Sequence, residues 1–164
     1  MKSQISTSLF LFIAAVSAPW AAGEGDPAPA CNIPYFNSDK TFDLNALRGK
    51  VVYMDFWASW CPPCKMSFPK LNELHNELKN QGFTVVAVNL DEEEQEAARF
   101  LAEHPVEFAV ARDAEGTCPT EFEVMAMPSA FIIDKQGRIR KVHLGFKQDD
   151  VSEIRETVLA LMNE

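Results

Sequence analysis

Two cysteines separated by two prolines, Cys61-Pro62-Pro63-Cys64, are the residues of this chain best suited to chemistry. A thiolate is both a nucleophile and a metal ligand. The pair follows Asp55-Phe56-Trp57-Ala58-Ser59-Trp60, the end of a run rich in β-branched and aromatic residues, and precedes a stretch with helical spacing. A strand-to-helix junction of this kind places Cys61 at a helix N-cap. Unpaired backbone N–H groups and the helix dipole stabilise an anion there, which lowers the thiol's pKa. Pro62 suits the first helical turn, because its missing N–H would have no partner in any case. Cys64 falls one turn further on the same face, near enough to close a disulfide with Cys61. Such a dithiol can exchange with another disulfide through a mixed intermediate.

Three other readings of the pair exist. A zinc site would need a second Cys or His pair at ligand spacing, and the chain has none. Covalent haem attachment would need His after Cys64, where Lys65 stands. A purely structural bond between residues three apart closes a very small loop and stabilises little. Redox exchange at Cys61 and Cys64, with no metal and no cofactor, is the favoured reading.

The elements that must position this pair can be followed along the chain. Residues 24–30 read as a linker rich in Gly, Pro and Ala. Asn32–Asp43 reads as two short strands around a turn at Asn37–Lys40, and Leu44–Leu47 as a helical turn closed by Gly49. Lys50–Trp57 and Phe83–Leu90 are apolar enough to be buried strands. Between them Pro62–Asn80 has helical spacing, with Met66, Leu71, Leu74 and Leu78 on one side, Pro69 inside and Gly82 as the stop. Glu92–Glu103 reads as a helix, Val106–Ala111 as a strand and Thr117–Phe122 as a short helix. Ser129–Asp134 and Arg138–Gly145 form a hairpin about Lys-Gln-Gly, and Asp149–Met162 is a final amphipathic helix. This order predicts a single α/β domain over 31–164, a three-layer α/β/α sandwich with a mixed central sheet and an N-terminal β-hairpin extension.

The N-terminus carries Lys2, the apolar run Leu9–Ala18 and the small residues Ala21-Ala22-Gly23, the layout of a secretory signal peptide over 1–23. The run is short of the roughly 20 apolar residues that span a bilayer. Trp20 sits awkwardly for a clean cleavage signal, so an uncleaved membrane anchor is the rival. Export would place the chain in an oxidising compartment. The whole chain has 164 residues with 24 acidic against 15 basic side chains, a net charge of −9, which argues against a nucleic-acid-binding domain.

The stretch Val51-Val52-Tyr53-Met54-Asp55-Phe56-Trp57-Ala58-Ser59-Trp60-Cys61-Pro62-Pro63-Cys64 resembles the active site of the thioredoxin superfamily. Ala28-Pro29 and Leu44-Asn45-Ala46-Leu47-Arg48-Gly49-Lys50 resemble its exported TlpA/ResA-like branch. Phe122–Asp134, with Met127-Pro128, resembles that family's cis-proline strand. The similarity extends over nearly all of Ala28–Met162. It implies a thioredoxin fold and a periplasmic thiol:disulfide oxidoreductase acting on protein disulfides, often as a reductant, in some members for cytochrome c maturation. It implies a cis Met127–Pro128 bond, with Trp60, Pro62, Pro63 and Met127 surrounding the catalytic Cys61, Cys64, Asp55 and Pro128. A membrane thiol transporter of the DsbD kind is the implied electron donor, and a monomer is expected. A disulfide-donating oxidase and a redox-inactive binding module are the alternatives. Asp55 occupies the place of the buried acid of thioredoxins, but the lysine they often carry on the next strand is Ala87 here. Without that partner Asp55 should be reluctant to ionise.

The remaining candidates read more plainly. Cys118-Pro119-Thr120-Glu121 looks like a peroxiredoxin's peroxidatic tetrapeptide, but Ala111 and Glu115 stand where that motif has its upstream Pro and Thr. Cys31 and Cys118 are left over, and leftover thiols in an oxidising compartment tend to pair. They form a candidate structural disulfide, with two unpaired thiols as the alternative. His75, His104 and His143 have no ligand or triad spacing and read as surface histidines. The acidic run Asp91–Glu96 reads as a solvated helix start.

Overall fold

The computed structural model describes residues 22–164. The expected signal peptide therefore lies, but for its last two residues, outside the described residues. The elements run β1 (Asn32–Pro34), β2 (Thr41–Asp43), β3 (Val51–Trp57), α1 (Pro62–Leu78), β4 (Phe83–Asn89), α2 (Glu94–Glu103), β5 (Ala109–Arg112), α3 (Thr117–Glu121), β6 (Ser129–Ile133), β7 (Ile139–Leu144) and α4 (Asp150–Met162). A 3₁₀ turn, Leu44–Leu47, follows β2, and Asp43 caps it by accepting from the Asn45 amide.

Five strands form one mixed sheet in the order β5-β4-β3-β6-β7. β3, β4 and β5 are parallel, while β6 is antiparallel to both β3 and β7. β3 is central and buried along its whole length, as its unbroken run of large apolar residues requires. Its side chains alternate between two cores. Val51, Tyr53 and Trp57 join α1, α4 and the Ala97 and Phe100 positions of α2. Val52, Met54 and Phe56 join the β1–β2 hairpin, the 3₁₀ turn and α3. This is a thioredoxin fold with the hairpin added at its N-terminal end.

The buried stripe of α1 is Cys64, Phe68, Leu71, Leu74, His75 and Leu78. Phe68 rather than Met66 belongs to it, since the 3.6-residue period turns Met66 to solvent, where it is exposed. Gly82, in the left-handed region, ends the 3₁₀ extension of α1 and turns the chain into β4.

His75 corrects the expectation of three surface histidines: it is buried, and its Nδ1 accepts from the Val85 amide at 3.3 Å. β5 pairs with β4 only from Val86 onward, so the imidazole satisfies an edge N–H that no strand reaches. Burial, followed by the Lys79 charge, lowers the His75 pKa.

Residues 24–30, expected as a linker, are laid against the β6–β7 hairpin. The Gly25 amide donates to Ile139 O at 2.7 Å and the Ala28 amide to Gly137 O at 2.9 Å. Gly137 is needed at this turn, since its φ is +76° and the Arg48 guanidinium occupies the space of a Cβ. Among the described residues no helix is long and apolar enough to cross a membrane.

Candidate active site

Cys61 is the N-cap of α1, in extended conformation, and its Sγ accepts from the Cys64 amide at 3.3 Å. Pro62 and Pro63 occupy the first two helical positions. Neither has an N–H, so the Cys64 amide is the first donor of the helix available to the Cys61 sulfur. Cys61 and Cys64 are joined as a disulfide, with Cα atoms 5.3 Å apart. Cys64 is fully buried and Cys61 is only 3% exposed. The approach to the pair is thus narrow, and what access exists is on Cys61. Trp60 beside it is 66% exposed, whereas Trp57 is fully buried against Phe68 and Phe100.

Asp55 points to the core that holds both cysteines, by the alternation that places Tyr53 and Trp57 there. Its neighbours across the sheet are Ala87 and Ala130. Methyl groups offer a carboxyl nothing to bond, and Asp55 Oδ2 is buried without a partner. Burial pushes its pKa up to about 8. Burial, then the Asp55 charge, also raises the Tyr53 phenol above its ordinary range.

The Met127–Pro128 bond is cis. Ser129 pairs with Phe56, so the antiparallel register brings Met127 and Pro128 beside the end of β3 from which the cysteine turn departs. Met127 packs on the core that contains Cys61 and Cys64. The Pro128 carbonyl is taken by the Gly145 amide at 2.8 Å. The segment borders an apolar groove of about 330 Å³ shared with Phe122, Val124, Met125 and Leu144.

Cys31 and Cys118 lie away from this site, in the core on the other face of the sheet. They are bonded, with a Cα separation of 5.4 Å, and both are buried. The Cys118 amide donates to Asp113 Oδ2 at 2.7 Å. His104 and His143 are partly buried; His104 lines a cleft with Ser59, Trp60 and Lys65, and His143 lies against Asp150 at 3.2 Å. Among the described residues no three His, Cys, Asp or Glu side chains converge as a metal site.

Asp91 is the residue that reading the sequence missed. Glu92–Glu96 are exposed as expected, but Asp91 is buried and belongs to the loop before α2, whose first residue is Glu94. It accepts from both the amide and the hydroxyl of Ser59. Asn-Leu-Asp at the carboxyl end of a buried parallel strand was the available signal, because such strand ends face functional loops.

A profile of the redoxin family, described as Redoxin, matches residues 23–158. The thiol-disulfide oxidoreductase ResA of Bacillus subtilis (strain 168) is 34% identical over 122 residues, 74% of this chain and 68% of that protein. ResA of Bacillus thuringiensis subsp. konkukian is 33% identical over 100 residues, 61% of this chain and 58% of its own length. A Chlorobium tepidum structure described as the thiol:disulfide interchange protein DsbE superposes with a TM-score of 0.83 at 41% identity. It covers 87% of this chain and 99% of that one. Fold, cysteine pair and relatives together define a thiol:disulfide oxidoreductase of the thioredoxin superfamily. The chain belongs to the redoxin family, and within the superfamily it is ResA-like.

Proposed function

We propose that Cys61 and Cys64 carry the exchange, that the protein works as a reductant of protein disulfides in an exported, periplasmic setting, and that cytochrome c maturation is among the processes it serves. The Cys61 thiolate attacks one sulfur of a substrate disulfide, forming a mixed disulfide and expelling the other substrate sulfur as a thiolate that takes up a proton. Cys64 then loses its proton to the Asp55 carboxylate and attacks the Cys61 sulfur. The Cys61–Cys64 bond forms, the second substrate thiol leaves, and two electrons have passed to the substrate. A membrane thiol carrier returns the pair to the dithiol, and the protein acts as a monomer.

One observation carries the reading: an N-cap cysteine bonded to a buried partner, with an unpaired Asp55 held near pKa 8 in the same core. A carboxyl tuned to within about a unit of ambient pH is suited to moving the proton of a thiol. Beside Pro128, the apolar groove offers protein substrates a surface of large side chains. Equilibrating the Cys61–Cys64 pair with glutathione tests the direction of electron flow. A potential well below the glutathione couple fits a reductant, and one well above it belongs to a disulfide donor.

A further inference from the structure

The turn that delivers Cys61 to the helix is not held by its own contacts alone. Its internal closure is one bond, from the Cys61 amide to Ala58 O at 3.2 Å. The remaining constraint comes from 32 residues away, in the loop after β4. The Ser59 amide donates to both carboxylate oxygens of Asp91, at 3.2 and 3.0 Å, and Ser59 Oγ donates to Oδ1 at 3.0 Å. Asp91 is fixed in turn by Asn89, whose Nδ2 donates to Oδ2 at 2.8 Å and whose Oδ1 accepts from the Asp91 amide at 3.2 Å. Asn89 is fully buried, and its carbonyl accepts from Asp113, the residue that caps the Cys118 amide. Every contact to the Asp91 carboxylate is a donor, so no amide side chain could replace it without turning an NH₂ group toward another N–H.

We propose that Asp91 is a positioning residue for the exchange reaction: through Ser59 it fixes the Ala58–Cys61 turn and so sets the Cys61 sulfur against the Cys64 amide. With Pro62 and Pro63 supplying no N–H, that amide is the first the helix can offer the sulfur, at 3.3 Å. A small rotation of the turn removes it, because a hydrogen bond weakens steeply with distance and angle. The proposal rests on the reading of Cys61 as the attacking thiol.

The test follows alkylation of Cys61 by iodoacetamide as a function of pH in the reduced wild-type protein and in Asp91→Asn. Loss of the clamp raises the Cys61 pKa, cutting the rate at neutral pH about tenfold, since only the thiolate reacts. The equilibrium with glutathione moves about tenfold toward the disulfide form, about 30 mV. Ser59→Ala, which keeps the charge and the amide bond, shifts both in the same direction by about 2–3-fold, and serves if Asp91→Asn does not fold. A titration curve that stays in place while stability falls makes Asp91 a purely structural clamp and overturns the proposal. A Cys61 pKa that falls also overturns it, because Asp91 would then be acting as a repelling charge. Should the wild type alkylate at Cys64 instead, the attacking-thiol assignment fails first, and that result is distinct from either outcome at Asp91.

Discussion

Asp55 of β3 stands directly across from Ala87 of β4. A lysine at that position would give the carboxylate a counter-charge, whereas alanine leaves burial as the one influence on its titration. The folded protein thus keeps Asp55 protonated up to about pH 8, while an unfolded Asp ionises near pH 4. Between these values the unfolded state binds fewer protons, so stability falls as pH rises from about 4 to about 8 and levels off above. Asp55→Asn removes this dependence. It should stabilise the protein by about 3–4 kcal/mol at pH 7 and by little at pH 4. Urea unfolding of both proteins at the two pH values checks this, and a gain that is the same at both would contradict it.

The same carboxyl should control how quickly the mixed disulfide resolves. Only ionised Asp55 can accept the Cys64 proton, so the resolution rate should climb from pH 6 and flatten near 8. Asp55→Asn should slow resolution by roughly 10–100-fold and erase that inflection. Stopped-flow tryptophan fluorescence with a small disulfide substrate gives the profile. Equal rates in wild type and variant between pH 6 and 9 would remove Asp55 from the mechanism.

His75 predicts the opposite slope at lower pH. Its Nδ1 must be unprotonated to accept from Val85, and burial with the Lys79 and Lys50 charges depresses its pKa against the pull of Glu107. The unfolded state takes up a proton near pH 6.5 and the folded state only below that. The His75 contribution to stability should therefore drop as pH falls below about 6.5, against the Asp55 contribution, which rises there. His75→Gln keeps an acceptor but cannot titrate, so as pH falls from about 7.5 to about 5.5 its stability should rise relative to the wild type's, the Asp55 contribution being common to both. Parallel pH curves for the two proteins would contradict this.

Much of the frame was legible in the sequence because β3 and β4 are buried on both faces and must read as unbroken apolar runs. The cysteine turn was legible because Pro62 and the helical spacing after it fix where α1 begins. What escaped were buried polar groups. Asp91 and His75 look like ordinary surface residues until distant chain arrives: Ser59 from the end of β3 for one, the edge N–H of Val85 for the other. Local pattern carries no record of such partners. Met66 and Phe68 show a lesser limit, since both are apolar and only the phase of the helix decides which of them is buried.

Cys31 and Cys118 are 87 residues apart, bonded and buried, and the bond ties the chain before β1 to α3. Closing a loop of that length is worth on the order of 4–5 kcal/mol in the chain-entropy model. The double variant Cys31→Ala, Cys118→Ala should lose about that much in urea unfolding while its Cys61–Cys64 pair still exchanges. A loss below about 1 kcal/mol would mean that the bond does not hold the extension to the core. Peptide mapping of unreduced protein should find the two cysteines linked.

In the proposed exchange Cys61 attacks and Cys64 resolves. Cys64→Ser removes the resolving thiol and should accumulate mixed disulfides joined through Cys61, which mass spectrometry of trapped, unreduced protein identifies directly. Cys61→Ser should trap little, since Cys64 is fully buried. Partners captured through Cys64 on the Cys61→Ser protein, with none on Cys64→Ser, would reverse the two roles.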